Sequence, residues 1–139
     1  MQQKDFLLRE IEKIGSIISA IRQKLFGGKE NLSISIEKQM DEAKRKLLDG
    51  AGFNLDKVLT MNAEELSEYL ACFQGFNVEN IELLAETLAE VGFDLKTERR
   101  EAYLKKALQL YELCNLKDKT YSVSRETMMD KIKAIVPKS

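Results

Sequence analysis

Ile81-Glu82-Leu83-Leu84-Ala85-Glu86-Thr87-Leu88-Ala89-Glu90-Val91-Gly92-Phe93-Asp94-Leu95-Lys96-Thr97-Glu98-Arg99-Arg100-Glu101-Ala102-Tyr103-Leu104-Lys105-Lys106-Ala107-Leu108-Gln109-Leu110-Tyr111-Glu112-Leu113-Cys114 reads as two amphipathic helices joined by a short polar turn. Ile81, Leu84, Ala85, Leu88 and Val91 recur at helical spacing on one face of the first helix. Leu104, Ala107, Leu108, Tyr111 and Cys114 do so on the second. Between them, Gly92 suits the left-handed residue after a helix end. Asp94 or Thr97 can accept from the free N–H groups of the next helix. A turn this short sends the second helix back along the first, stripe against stripe. Two helices cannot cover both stripes alone, so the rest of the chain has to pack on them.

The remainder supports an all-α fold. The 139 residues hold one proline, Pro137, and long runs rich in Leu, Glu, Lys and Ala, which favour helix. The spacing predicts six or seven antiparallel helices in a single helical domain covering 1–139, with a repeat-like hairpin at 78–115. The alternating stretch Leu32-Ser33-Ile34-Ser35-Ile36 has no partner strand, and a lone strand is unstable. It is read as the start of a helix running to Leu48, with Ile36, Met40, Ala43 and Leu47 on its stripe and Asp49-Gly50-Ala51-Gly52 as its stop. A helical pair Glu42–Lys46 is expected. Asn54 to Leu59 reads as a short helix or turn. Asn62, with Glu65 three residues on, is a helix-start signature for a helix burying Leu66, Tyr69, Leu70 and Phe73. Asn77 is expected to cap the first arm of the hairpin. Asn115 to Val123 has no helical period and reads as a loop, after which Ser124 opens a last helix with Met128, Ile132 and Ile135 on its face.

The long N-terminal amphipathic helix, about Lys4 to Phe26, has a feature of its own. Leu7, Ile11, Ile14, Ile18, Ile21 and Leu25 follow alternating steps of four and three, the repeat of a coiled-coil seam. Such a stripe serves an internal core, or a second copy or partner; the mixed-sign polar face disfavours a membrane-surface helix. Gly15 within it would let another helix come close. Gly27-Gly28 ends the helix and is the expected hinge, so that 1–28 is mobile or oligomerising.

Chemistry is scarce. The chain has no histidine, so Ser-His and Cys-His nucleophile pairs are excluded. Cys72 and Cys114 are too few for a familiar zinc site and are read as reduced, buried core thiols in a cytoplasmic protein. No cofactor is expected, and no transmembrane segment. Net charge is −1, although residues 61–94 carry eight acids and no base while both ends are basic. That asymmetry suits a chain whose ends meet its middle, within one copy or between two. Arg99, Arg100, Lys105, Lys106, Lys117, Lys119, Arg125, Lys131 and Lys133 make the C-terminal third basic, but acids interrupt them, which disfavours nucleic-acid binding. In the hydroxyl-rich segment Asp118 to Arg125, Lys119 and Arg125 could meet an acidic group of a ligand or peptide, and Tyr121 could cover an apolar one.

Tyr103-Leu104-Lys105-Lys106-Ala107-Leu108-Gln109-Leu110-Tyr111 resembles the second helix of a tetratricopeptide repeat, with Ala107-Leu108 at that motif's small residue and following leucine. Arg100 and Leu88 depart from its small positions, and one unit is visible, about a quarter of the chain. The wider order is similar to small uncharacterised helical proteins of gut bacteria: an Asp5-Phe6-Leu7-Leu8-Arg9-Glu10-Ile11-Glu12 opening, a Leu25-Phe26-Gly27-Gly28 break, one repeat-like hairpin, then Asp118-Lys119-Thr120-Tyr121-Ser122. The resemblance implies a helical scaffold and no activity. The residues therefore lead to a non-enzymatic interaction module. It is expected to self-associate through the Leu7–Leu25 seam and to take a protein or peptide in a groove beside the hairpin. A regulatory, nucleic-acid-associated role for the basic third is the alternative.

Overall fold

The computed structural model describes residues 2–27, 35–119 and 122–136. Among these it contains seven helices and no strand: α1 (Gln2–Phe26), α2 (Ile36–Ala51), α3 (Leu55–Thr60), α4 (Ala63–Ala71), α5 (Val78–Asp94), α6 (Arg99–Asp118) and α7 (Val123–Ile135). The chain divides into two compact units, residues 1–80 and 81–139. The division falls inside α5, so no linker composition announces it.

In the first unit, α1 and α2 run antiparallel. Lys24 Nζ on α1 meets Glu42 Oε2 on α2 at 3.2 Å, taking the carboxylate that the sequence assigns to Lys46. Both groups are half exposed, so the pair contributes little. Ile14, Ile18 and Ile21 of α1 and Met40, Ala43 and Leu47 of α2 are buried, and this shared apolar stripe is what holds the pair. Ser35 caps α2 by accepting from Lys38 N, and residues 32–34 lie outside the described ones. The helix passes Leu48 and ends within the expected stop, Asp49-Gly50-Ala51-Gly52. It runs on to Ala51, because Gly52, at φ 68°, is the residue that takes the left-handed turn and returns its N–H to Leu47 and Leu48. Asn54 and Asn62 cap α3 and α4, the latter in a full capping box with Glu65. Phe53, wholly buried, stacks between Tyr69, Phe73 and Phe76, with ring centroids 5.4, 5.3 and 4.7 Å away. The Tyr69 hydroxyl closes this cluster by accepting from Asn54 N.

The turn between α4 and α5 is pressed onto α1. A Cβ at Gly75 would overlap the Glu10 carbonyl and the Ile14 side chain. Asn80, buried, donates from Nδ2 to the carbonyls of Ile11 (2.9 Å) and Gly75 (2.8 Å). Its Oδ1 lies over Gly15, where a Cβ would stand 3.0 Å from it. The small residue in the α1 seam thus admits an asparagine clamp. Asn77 caps α5 by accepting from Asn80 N, as its position suggests.

In the second unit, Ile81, Leu84, Ala85, Leu88 and Val91 are all buried, as their spacing requires. No residue from Asn80 to Phe93 is exposed, Glu82, Glu86 and Glu90 being half-buried, so cover extends beyond the apolar stripe of α5. Gly92 does not end α5; the helix runs through it to Asp94. The residue is small because α6 lies against it: a Cβ would stand 2.7 Å from Leu104 Cδ2 and 3.4 Å from the Arg100 carbonyl. The N-cap of α6 is Glu98, which makes no side-chain cap bond. The helix also continues through Asn115 to Asp118, past the expected loop start, and is closed by Lys119 in the left-handed region at φ 54°. Ser122, not Ser124, opens α7 by accepting from Arg125 N. That phase turns Arg125, Met129 and Ile132 inward and leaves Ile135 exposed.

The two cysteines part ways. Cys114 is fully buried, whereas Cys72 caps the end of α4 and is exposed, which corrects its reading as a core residue. Burial pushes the Cys114 thiol up from 9.0 to about 12, with Arg125 pulling the other way. An Ellman titration is therefore expected to count one thiol in the native protein and two after denaturation. Between pH 9 and 12 the unfolded chain releases the Cys114 proton and the folded chain keeps it. Stability should then fall with rising pH by an extra ~1.4 kcal/mol per unit. Denaturation curves of native protein and Cys114→Ala at about pH 8.5 and pH 10.5 check this, the slope component being absent from the variant.

Candidate functional site

Arg125, expected to meet a ligand, is already engaged by its own unit. Its side chain is 5% exposed. Nη2 donates to Glu82 Oε1 at 2.6 Å and to Asp118 Oδ2 at 3.0 Å. Nε reaches Glu82 Oε1 at 3.2 Å, and Nη1 reaches Asn115 Oδ1 at 2.8 Å and Asp118 Oδ1 at 3.3 Å. The guanidinium thus ties the start of α7 to the end of α6 and to α5. The hydrogen bond with Asp118 raises its pKa further, against burial, and Glu82 adds to the rise. It stays charged at any working pH and adds no pH dependence there. Lys119 is exposed and fixed at the helix end, and Tyr121 lies outside the described residues. Arg125 is accordingly a structural junction between α5, α6 and α7. Lys106 is also buried, with Nζ donating to Gln109 Oε1 at 2.6 Å. Two bases of the C-terminal set are thereby withdrawn from any nucleic-acid surface. Among the described residues no group of three or more carboxylates and thiols is placed to hold a metal ion, and no helix is long and apolar enough to cross a membrane.

The seam of α1 divides into three parts. Ile14, Ile18 and Ile21 are buried at 1–3% exposure by their own chain. Ile11 and Leu25 are half buried. Leu7 is 40% exposed and is flanked by Phe6 at 53% and Leu8 at 49%. Every residue from Lys4 to Arg9 is exposed, in contrast to the buried middle of the same helix. Cover begins where the Gly75 turn and the Asn80 clamp meet Glu10 and Ile11. The regular repeat gave no sign of this break, because it comes from where a distant turn lands.

A second surface feature lies on the same unit. An open groove of about 450 Å³ runs between α1 and α2, lined by Ser16, Ile17, Ala20, Arg45, Lys46 and Asp49. At Gly50 of α2 a Cβ would stand 2.9 Å from Ile17 Cδ1, so the Ile17 side chain lies over that glycine. The groove's walls are mainly apolar, with charges of both signs at the rim. Comparison with protein-family models, with curated proteins and with solved structures finds no match for this chain.

Proposed function

We propose that this protein is a non-enzymatic protein–protein interaction or scaffold module that self-associates through the N-terminal end of α1. The observation that supports this is the exposure of Phe6, Leu7 and Leu8 together on a helix end where every residue from Lys4 to Arg9 is exposed. Adjacent large apolar side chains spread around a helix are costly to leave in water and gain by burial in another surface. The buried Ile14, Ile18 and Ile21 hold the same helix firmly, so the end is presented on a rigid stem. The tetratricopeptide-like hairpin of α5 and α6 serves in this reading as scaffold.

The test separates contact from core. Phe6→Asp with Leu8→Asp should leave the unfolding free energy within about 0.5 kcal/mol of native, as for surface positions. The same variant should lower the solution mass toward the monomer. Ile18→Asp, in contrast, should unfold the chain, since a charge would be buried without a partner. A tip variant with native solution mass would refute the proposal.

A further inference from the structure

We infer that α7 is a latch over Cys114: it undocks from α5 and α6 while those two helices stay folded, and this opening is what admits solvent to the thiol. Cys114 has no exposed surface. It immediately precedes Asn115, the residue of α6 that meets α7 twice. Asn115 Oδ1 accepts from Arg125 Nη1 at 2.8 Å, and its Nδ2 stands 3.6 Å from Met129 Sδ. The Arg125 guanidinium is also near enough to Cys114 to favour its thiolate, against the effect of burial. The thiol therefore lies beneath the first two turns of α7.

The helix above it is lightly held. Of the 13 residues of α7, Arg125, Met129 and Ile132 are buried, so two apolar side chains anchor it. The neighbouring α6 buries six: Tyr103, Leu104, Ala107, Leu110, Tyr111 and Cys114. Neither end of α7 adds to the hold, since Val123 is 67% exposed and Ile135 41%. What fastens the start of the helix is the guanidinium on Glu82 and Asp118, and both carboxylates are partly open to water. Water can take over those bonds when the helix lifts, whereas it cannot replace buried apolar contact. An element with few apolar anchors and a solvated polar tie opens at a lower free energy than the body it rests on. The opened region is small, so its dependence on denaturant is shallow.

Thiol labelling tests this on the full chain. Cys72 is exposed, and Cys72→Ser leaves Cys114 as the single thiol. Its reaction with N-ethylmaleimide, in the range where the rate is proportional to reagent, is followed by mass spectrometry at urea concentrations below the unfolding transition. The logarithm of the rate should rise with urea no more than about half as steeply as that of the global unfolding constant. Added to this background, Arg125→Met should speed labelling by at least about thirtyfold. Ile132→Val removes one methylene-sized group from the buried face of α7 and should speed it about two- to twelvefold. If Arg125→Met does not fold, Ile132→Val and the urea slope carry the test. A slope as steep as that of global unfolding would overturn the latch, because Cys114 would then open only with the whole unit. Folded Arg125→Met or Ile132→Val that labels at the unaltered rate would overturn it too.

Discussion

Arg125→Met is expected to destabilise the protein by about 2–4 kcal/mol. The guanidinium is almost completely buried and bonded to Glu82, Asp118 and Asn115. Methionine fills much of the same space but leaves two carboxylates facing each other over an apolar side chain. Each carboxylate is about a quarter exposed, 23% for Glu82 and 25% for Asp118, so water offsets part of the penalty. For that reason the expected loss sits at the lower side of what breaking a fully buried pair costs. Urea unfolding monitored by circular dichroism measures it. Lys119→Met, at an exposed position, should change stability by less than about 0.5 kcal/mol. If Arg125→Met were as stable as native, the cluster would not be the structural tie described above.

Gly75→Ala is expected to cost about 3 kcal/mol or more. Its added methyl would meet the Glu10 carbonyl, which belongs to the α1 backbone and cannot swing aside. Relief would require the turn to lift from α1, and the two hydrogen bonds of Asn80 would go with it. Gly50→Ala makes a sharp comparison. There the new methyl meets only the end of the Ile17 side chain, at 2.9 Å, which can rotate. The change also removes a glycine from a helix interior, worth about 0.5–1 kcal/mol in stability. Near-neutral Gly50→Ala beside a strongly destabilising Gly75→Ala, both from denaturant midpoints, is the expected pattern.

The hairpin faces were readable because helical burial repeats locally: each of Ile81, Leu84, Ala85, Leu88 and Val91 is where its spacing puts it. The Asn62 and Asn77 caps were readable for the same reason, since the capping oxygen and the N–H that donates to it lie three residues apart. Glycine was not. Gly52 serves by its backbone angle, whereas Gly92 and Gly75 serve by the space they leave, and composition alone does not distinguish the two uses. Lys119 takes a left-handed helix end without being glycine, so the end of α6 carried no marker.

The candidate site was legible only in part. The role of Arg125 depends on Glu82, 43 positions away, and on Asp118, seven away, and the longer of these pairings leaves no pattern in the sequence. Cys72 fell on the exposed side because α4 is short, so its inward phase is set by Leu66 and Leu70 alone. The α1 seam looked uniform in sequence. In space its middle is core and its first turns are bare, and that division is what turned a general expectation of contact into a particular surface.

Sedimentation equilibrium of the native chain over a wide concentration range tests the central claim most directly. The account predicts a weight-average mass that rises with concentration above the 15.9 kDa of one chain. A mass that stays at 15.9 kDa up to the highest concentration reached would contradict it.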